Sequence, residues 1–339
     1  MIKLLKELCL INGTSGDETL VRNAIIEKIK DFCEYRVDNL GNLICFCKGK
    51  KTAGKKLMIA AHMDEVGFIV TYINEDGTLC FNEVGGIDTS VVLGRQVKVG
   101  NDGISGVVGS TAIHNLSKEQ RETPPKYGDM YIDIGASSKE EAEKYVSLGD
   151  LICFDSEFVE LGGNCIKSKA IDDRAGCTAM IQLIREGVEY DTYFVFNVQE
   201  EVGLRGSMVS AFSVAPDFAI VLEATTASDI DGVCGAKKVC SLGNGPVVGF
   251  MDRSTVYDKE LYKMAFEIAE NLEIPCQTKT MIAGGNDSGA IHISRGGVRT
   301  IAVSLPCRYI HSPSCTANTE DFENMLILTR ELAKRIQEL

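Results

Sequence analysis

The hydrophobic rhythm of this chain changes at about residue 67 and changes back at about residue 163, and that double switch limits the fold more than any other feature. Outside those positions, short apolar runs of strand length (Leu57 to Ala61, Tyr193 to Val198, Phe218 to Leu222, Val298 to Leu305) alternate with helical patterns. Strands alternating with helices build a sheet with helices on its faces. Between the switch points, short alternating segments (FIVTYI, TLCFNEV, VVLGRQVKV, GVVGS) are punctuated by Asp-Gly, Gly-Gly and Asn-Asp-Gly turns. The expectation is an α/β fold, a mixed sheet with helices on both faces, into which a small β-rich domain is inserted. Residues 1–66 and 164–339 form the discontinuous larger domain and 67–163 the insert. A length of 339 residues agrees with two cores rather than one.

At the N-terminus, MIKLLKELCL places leucine and isoleucine at helical spacing. Thr14-Ser15-Gly16-Asp17 reads as the cap of a second helix from about Glu18 to Phe32, followed by a hairpin of YRVD and LICFC. One short helix, near Lys139 to Ser147, interrupts the β-rich block. Further helices are expected over Ala175 to Glu186, Asp258 to Leu272 and Thr319 to Gln337.

A net charge of −13 argues against nucleic-acid partners, because phosphates are repelled rather than neutralised. The thirteen cysteines are odd in number, lack any CxxC and sit mostly in apolar runs. They read as reduced thiols in a reducing compartment, so the chain is expected to be cytoplasmic. The N-terminal segment has no leader-like apolar stretch and no run reaches the ~18 apolar residues of a membrane span, which removes a membrane partner.

The chemistry lies where the strands end. LMIAA runs into His62 and Asp64, CIKSKAI into Asp172 and Asp173, and YFVFNV, one residue on, into Glu200 and Glu201. FAIVL ends in Glu223, and the strand near RTIAVSL continues through PCRYI into His311. In open α/β sheets, ligands gather at the carboxyl ends of the strands. Two histidines and several carboxylates without a thiolate suit zinc or cobalt, with manganese as an alternative. Two ions sharing a carboxylate is the recurring arrangement for hydrolysing amides and phosphoesters. His62-x-Asp64 directly after a buried strand lets the aspartate orient the imidazole. His114 and His292, without acidic company at a strand end, read as ordinary histidines.

The motifs AHMDEVGF, AIDDRAG, QEEVGLRG, the strand ending in Glu223, GGNDSG and YIHS, in that order, resemble the TET-type dinuclear metallo-aminopeptidases. That family includes glutamyl, leucyl and lysyl aminopeptidases and some members labelled endoglucanases. The resemblance covers essentially the whole chain. It implies two divalent ions per subunit: His62, Asp172 and Glu223 on one, and Asp172, Glu201 and His311 on the other, with Asp172 bridging. It implies Glu200 as the general base acting on a water shared by the ions, Asp64 as the group orienting His62, and a cis peptide after the bridging aspartate. The implied reaction removes N-terminal residues from peptide substrates. The implied assembly is a homo-oligomer, the family's form being a hollow tetrahedral dodecamer with the inserted domain making contacts. Two positions depart from the family's pattern: Glu223 stands where aspartate is common, and Asn286 where threonine is usual.

Other chemistries on the same two-metal site remain open at this point, namely a deacylase or a carboxypeptidase. An endoglucanase needs two carboxylates facing each other roughly 5–9.5 Å apart across a bond. Glu200 and Glu201 are sequence neighbours, and that reading leaves both histidines without a task.

Overall fold

The computed structural model describes residues 1–52 and 54–339. Three strands open the chain: β1 (Glu34–Val37), β2 (Leu43–Cys47) and β3 (Leu57–His62). Six more follow as β4 (Gly67–Ile73), β5 (Leu79–Val84), β6 (Gln96–Val99), β7 (Ile104–Ser110), β8 (Met130–Asp133) and β9 (Leu151–Phe154). The remainder are β10 (Val159–Glu160), β11 (Cys165–Ser168), β12 (Thr192–Asn197), β13 (Phe218–Thr226), β14 (Val247–Val248), β15 (Gln277–Thr278), β16 (Arg299–Arg308) and β17 (Cys315–Asn318). The helices are α1 (Ile2–Cys9), α2 (Thr19–Ile29), α3 (Lys118–Arg121), α4 (Lys139–Ala142), α5 (Ile171–Glu186), α6 (Arg205–Val214), α7 (Lys259–Asn271), α8 (Ser288–Ile291) and α9 (Thr319–Ile336).

The large mixed sheet runs β1-β2-β12-β3-β13-β16-β17-β11-β10, with β14 and β15 joined at β16. Its centre, β12-β3-β13-β16, is parallel. Parallel strands buried on both faces read as unbroken apolar runs, and β3 is buried along its whole length. Alternation still sorts its residues. Leu57, Ile59 and Ala61 enter the core shared with α1, α2, α5, α7 and α9. Met58 and Ala60 enter a smaller core with Ala211 and Val214 of α6 and Ile291 of α8. Helices therefore cover both faces, as the alternation of elements implies.

Strands β4 to β9 close on themselves as a barrel in the order β4-β5-β8-β7-β6-β9. Closure leaves no open edge for stray pairing. The barrel has its own core, in which Phe68 meets Phe81 and Phe154 edge-on, both at 5.2 Å between ring centres. Two short helices, α3 and α4, accompany these strands rather than one. All thirteen cysteines are free thiols. Among the described residues no helix is long and apolar enough to cross a membrane.

Two local expectations change. α2 begins at Thr19, and Thr14 to Asp17 do not cap it; its first residue follows Glu18 with no side-chain cap. The hydroxyls of Thr14 and Ser15 go instead to Ile152 O and Asp64. Helix α6 was not expected, because its sequence (RGSMVSAFSV) has no clear apolar stripe, and Met208, Val209 and Phe212 remain exposed.

Candidate metal centre

Because the four central strands are parallel, their carboxyl ends lie together, and each exit delivers one or two polar side chains. His62 closes β3, and Asn197 closes β12 directly beside it in register. Glu223 lies in β13, and His311 follows the end of β16 by three residues. Asp172 and Asp173 lead α5 with non-helical backbone, joined by a cis peptide as the resemblance implies. Helical backbone thus resumes at Arg174, one residue before the expected Ala175.

Asp172 stands in the middle. One of its oxygens lies 3.2 Å from His62 Nε2 and the other 3.3 Å from His311 Nε2. Glu223 Oε1 is 3.4 Å from His62 Nε2, and Glu201 Oε2 is 3.3 Å from His311 Nε2. Ligands held 2.0–2.2 Å from one tetrahedral ion stand roughly 3.3–3.6 Å apart. The donor separations around Asp172 lie near the short end of that range. The set of imidazole and carboxylate donors is also what zinc, cobalt or manganese accept. His62, Asp172 and Glu201 together form a cluster able to hold a cation.

Asp173 also comes within ligand range of His62 and Glu223. Its oxygens, however, already accept the amides of Gly176 (2.8 Å) and His62 (3.4 Å), so it caps α5. Burial, then the Glu223 charge, push its carboxyl well above the usual range.

The supports behind these groups are specific. Asp64, fully buried, meets His62 Nδ1 through its own carbonyl oxygen at 3.1 Å and through Oδ1 at 3.3 Å, and its carboxylate accepts the amides of Glu200 (3.0 Å) and Glu201 (3.1 Å). A ligating imidazole is oriented by what its other nitrogen meets. His311 Nδ1 meets Gly86 O at 2.8 Å, a carbonyl from the loop after β5. The barrel therefore completes the site by orienting one histidine. The loop must come close to do so: Gly85 has φ +83°, and a Cβ there would lie 2.8 Å from Val66 Cγ1 and 3.3 Å from the Glu201 Cβ. Asn197 donates to Asp287 at 2.7 Å and accepts Ser210 Oγ at 2.7 Å, bracing the exit of β12.

Crowded charge shifts every titrating group. Burial, and then the Asp172 charge, push Glu201 up to about 8. Burial likewise takes Glu223 to about 8. For Glu200, burial and the neighbouring carboxylates of Glu223, Glu201 and Asp287 outweigh the pull of His62 and hold it well above the usual range. Burial opposes the charge on His311, yet Asp172 and Glu201 raise it to about 10. Asp172 goes the other way: despite its burial, hydrogen bonds from His311 and His62 hold it far below the carboxylate range. Asp173, Glu200, Glu201 and Glu223, all pushed up beside a depressed Asp172, mark a site short of positive charge.

The structure brings His62, Asp64, Asp172, Glu200, Glu201, Glu223 and His311 to one place. His114 lies apart and exposed, and His292 Nδ1 is taken up by Ser288 O at 2.8 Å. Asn286 spends its side chain on Tyr257 OH (3.1 Å) and the Ser288 amide (2.9 Å). Sequence reasoning missed Gly86, Asn197 and Asp287. The two side chains carried a faint signal, as polar residues next to a strand exit and in GGNDSG, but a backbone carbonyl carries none.

Histidines and carboxylates gathered at the carboxyl ends of parallel strands define a protein with a site able to hold a cation, and comparison with known proteins narrows the class. The family model described as M42 glutamyl aminopeptidase matches residues 41–328. The chain is 43% identical over 334 residues to a putative aminopeptidase of Acetivibrio thermocellus, covering 98% of each. It is 33% identical to the lysyl aminopeptidase of Pyrococcus furiosus, covering 99% of this chain and 97% of that one. Among solved structures, the TET aminopeptidase of Thaumarchaeota archaeon SCGC AB-539-E09 superposes with a TM-score of 0.94 at 36% identity, over 99% of this chain and 96% of that one. The TET1 peptidase of Pyrococcus horikoshii, which assembles into a tetrahedron or a large octahedral shell, gives 0.87 at 35% identity over 98% of each. A Thermotoga maritima structure described as an endoglucanase gives 0.81 at 39% identity over 98% of each. The chain belongs to the M42 aminopeptidase family. It is a peptide-bond hydrolase acting at peptide N-termini.

Proposed function

We propose that this aminopeptidase works through two divalent ions, zinc or cobalt with manganese as an alternative. His62, Asp172 and Glu223 hold one, and Asp172, Glu201 and His311 hold the other. The observation that carries this reading is Asp172, whose two oxygens face two different histidines at 3.2 and 3.3 Å. Bound there, the ions supply a water acidic enough to deprotonate near neutral pH and polarise the scissile carbonyl. Glu200 is the general base: buried beside the ligands, it takes the proton from that water and passes it to the leaving amine. Asp64 is the positioning residue, setting the His62 ring and the backbone of Glu200 and Glu201. The longer stem of Glu223 still brings its oxygen to 3.4 Å from His62 Nε2. Acidic side chains around the water also suit a free substrate α-amine, which accounts for cleavage at the N-terminus only.

The remaining proposals concern setting. The two-ion site belongs to a discontinuous domain of residues 1–66 and 164–339, with 67–163 as an oligomerisation domain. The chain is a homo-oligomer in the cytoplasm, and the dodecamer of one solved relative with the tetrahedron formed by the Pyrococcus horikoshii relative support a tetrahedral dodecamer.

The test is hydrolysis of aminoacyl anilides with chelator, with zinc, cobalt or manganese restored, and with Glu200→Gln. Activity lost on chelation, regained with metal, and absent in Glu200→Gln at full metal content is the expected result. N-acetylated substrates should be left uncut. Two bound metals without cleavage of any free-amine substrate would move a deacylase or carboxypeptidase to the front.

A further inference from the structure

The stretch from Gly13 to Glu18, between α1 and α2, lies as a strap across the exit of β3. Glu65 N donates to Gly13 O at 3.0 Å, Ser15 N to Glu65 O at 3.3 Å, and Ser15 Oγ to Asp64 Oδ2 at 2.6 Å. At the end of the strap Glu18, 4% exposed, turns its carboxylate inward. Oε1 accepts the amide of Gly16 at 2.8 Å and, 181 residues away in sequence, the amide of Gln199 at 3.1 Å.

Gln199 begins the turn that carries Glu200 and Glu201. The next two amides of that turn go to the two oxygens of Asp64. Three successive N–H groups are thus held by two buried carboxylates. The turn needs an outside hold, because Gln199 has φ +56°, a left-handed backbone unfavourable for a residue with a side chain. Glu18 is an unusual choice for a buried position, since an ionised carboxylate is costly to bury. Burial, and then the Asp64 charge, raise it to about 6. Its acceptor oxygen offsets that cost only through the amides it binds.

We propose that Glu18 is a positioning residue for hydrolysis, acting through Gln199 to fix where Glu200 and Glu201 stand. The inference rests on Glu200 as the base and Glu201 as a ligand. What matters is where the acceptor lies, not its charge. A misplacement of about 1 Å in a reacting group can cost on the order of 100-fold in rate.

Two conservative variants separate position from charge. Glu18→Gln keeps an acceptor oxygen at the same reach and loses the charge. Glu18→Asp keeps the charge and withdraws the oxygen by one methylene. Expected is a kcat for Glu18→Asp reduced about 10- to 100-fold with KM unchanged, and Glu18→Gln close to the parent. Amide hydrogen exchange at Gln199 to Glu201, read by mass spectrometry on the full chain, should quicken in Glu18→Asp and not in Glu18→Gln. The opposite order, with Glu18→Gln impaired and Glu18→Asp normal, overturns the proposal, as do parent values of both kcat and exchange in Glu18→Asp. If the parent chain itself cuts no free-amine substrate, the reading of the site has failed instead. The exchange comparison then still decides whether Glu18 holds the turn.

Discussion

Directly after Asp64, Glu65 is paired with two buried cations, Lys169 at 2.6 Å and Arg174 at 3.5 Å. All three side chains are within a few per cent of complete burial. Arg174 is otherwise satisfied by the carbonyls of Met63, Leu8 and Ile11, while its Nη2 has no hydrogen-bond partner. Replacing Glu65 by glutamine keeps the shape and an acceptor for Lys169 and the Gly13 amide, but strips the counter-charge from two neighbouring cations. Breaking a buried pair from one side costs about 3–5 kcal/mol. At ~2.1 cal/mol/K per residue, the 339-residue chain gains roughly 0.7 kcal/mol/K on unfolding, so Tm should fall by about 4–7 °C. Differential scanning fluorimetry on the metal-free protein measures this without interference from ion binding. The double variant Glu65→Gln with Lys169→Met should recover part of the loss, because one stranded cation goes with it. A Tm shift within about 1 °C for the single variant, or a further drop in the double, would refute the argument that uncompensated charge sets the cost.

Other outcomes follow from the same geometry. Asp64→Asn presents one acceptor oxygen to the donors of Ser15, Glu200 and Glu201; activity should drop about 10- to 100-fold, measured as kcat/KM at saturating metal. Phe68→Ala empties the centre of the barrel core and should cost about 3–5 kcal/mol in chemical denaturation. The chelated protein should lose stability as pH rises. Glu201 and Glu223, at about 8 when folded, lie above their unfolded value, and so does His311 at about 10. A folded-state pKa that is raised gives stability present at lower pH and lost on passing through it. Melting of the chelated chain should therefore be lower at about pH 8.5 than at about pH 5.5, and restoring zinc should narrow the gap. A flat or rising profile contradicts the charge-deficit picture of the site.

The expectation that the strand exits share one site holds because of how buried parallel strands are written. A strand covered on both faces has no polar alternation, so LMIAA, YFVFNV and FAIVL stand out, and the first polar residue beyond each must lie at its exit. His62 was legible for that reason; Glu200 comes one residue later, after Gln199, and Glu223 lies inside β13, which runs on to Thr226 beyond the end of the apolar run. His311 was less so, since two residues separate it from β16 and its left-handed backbone (φ +57°) turns it back toward Asp172. The short strands β10, β14, β15 and β17 had no comparable signal, because each is too brief for periodicity to register.

What the sequence by itself determined is a set of histidines and carboxylates and the end of the sheet on which they gather, since both depend on local apolar runs and the residues near their ends. What only the tertiary structure decided is the second layer. Thr14, Ser15 and Glu18 look like a helix start, yet they are spent on Ile152, Asp64 and Gln199. Gly86 offers His311 a carbonyl that every residue has. Short polar side chains and backbone groups bond whichever partner the packing brings within about 3 Å. Those partners lie up to 225 residues away, beyond the reach of any local pattern.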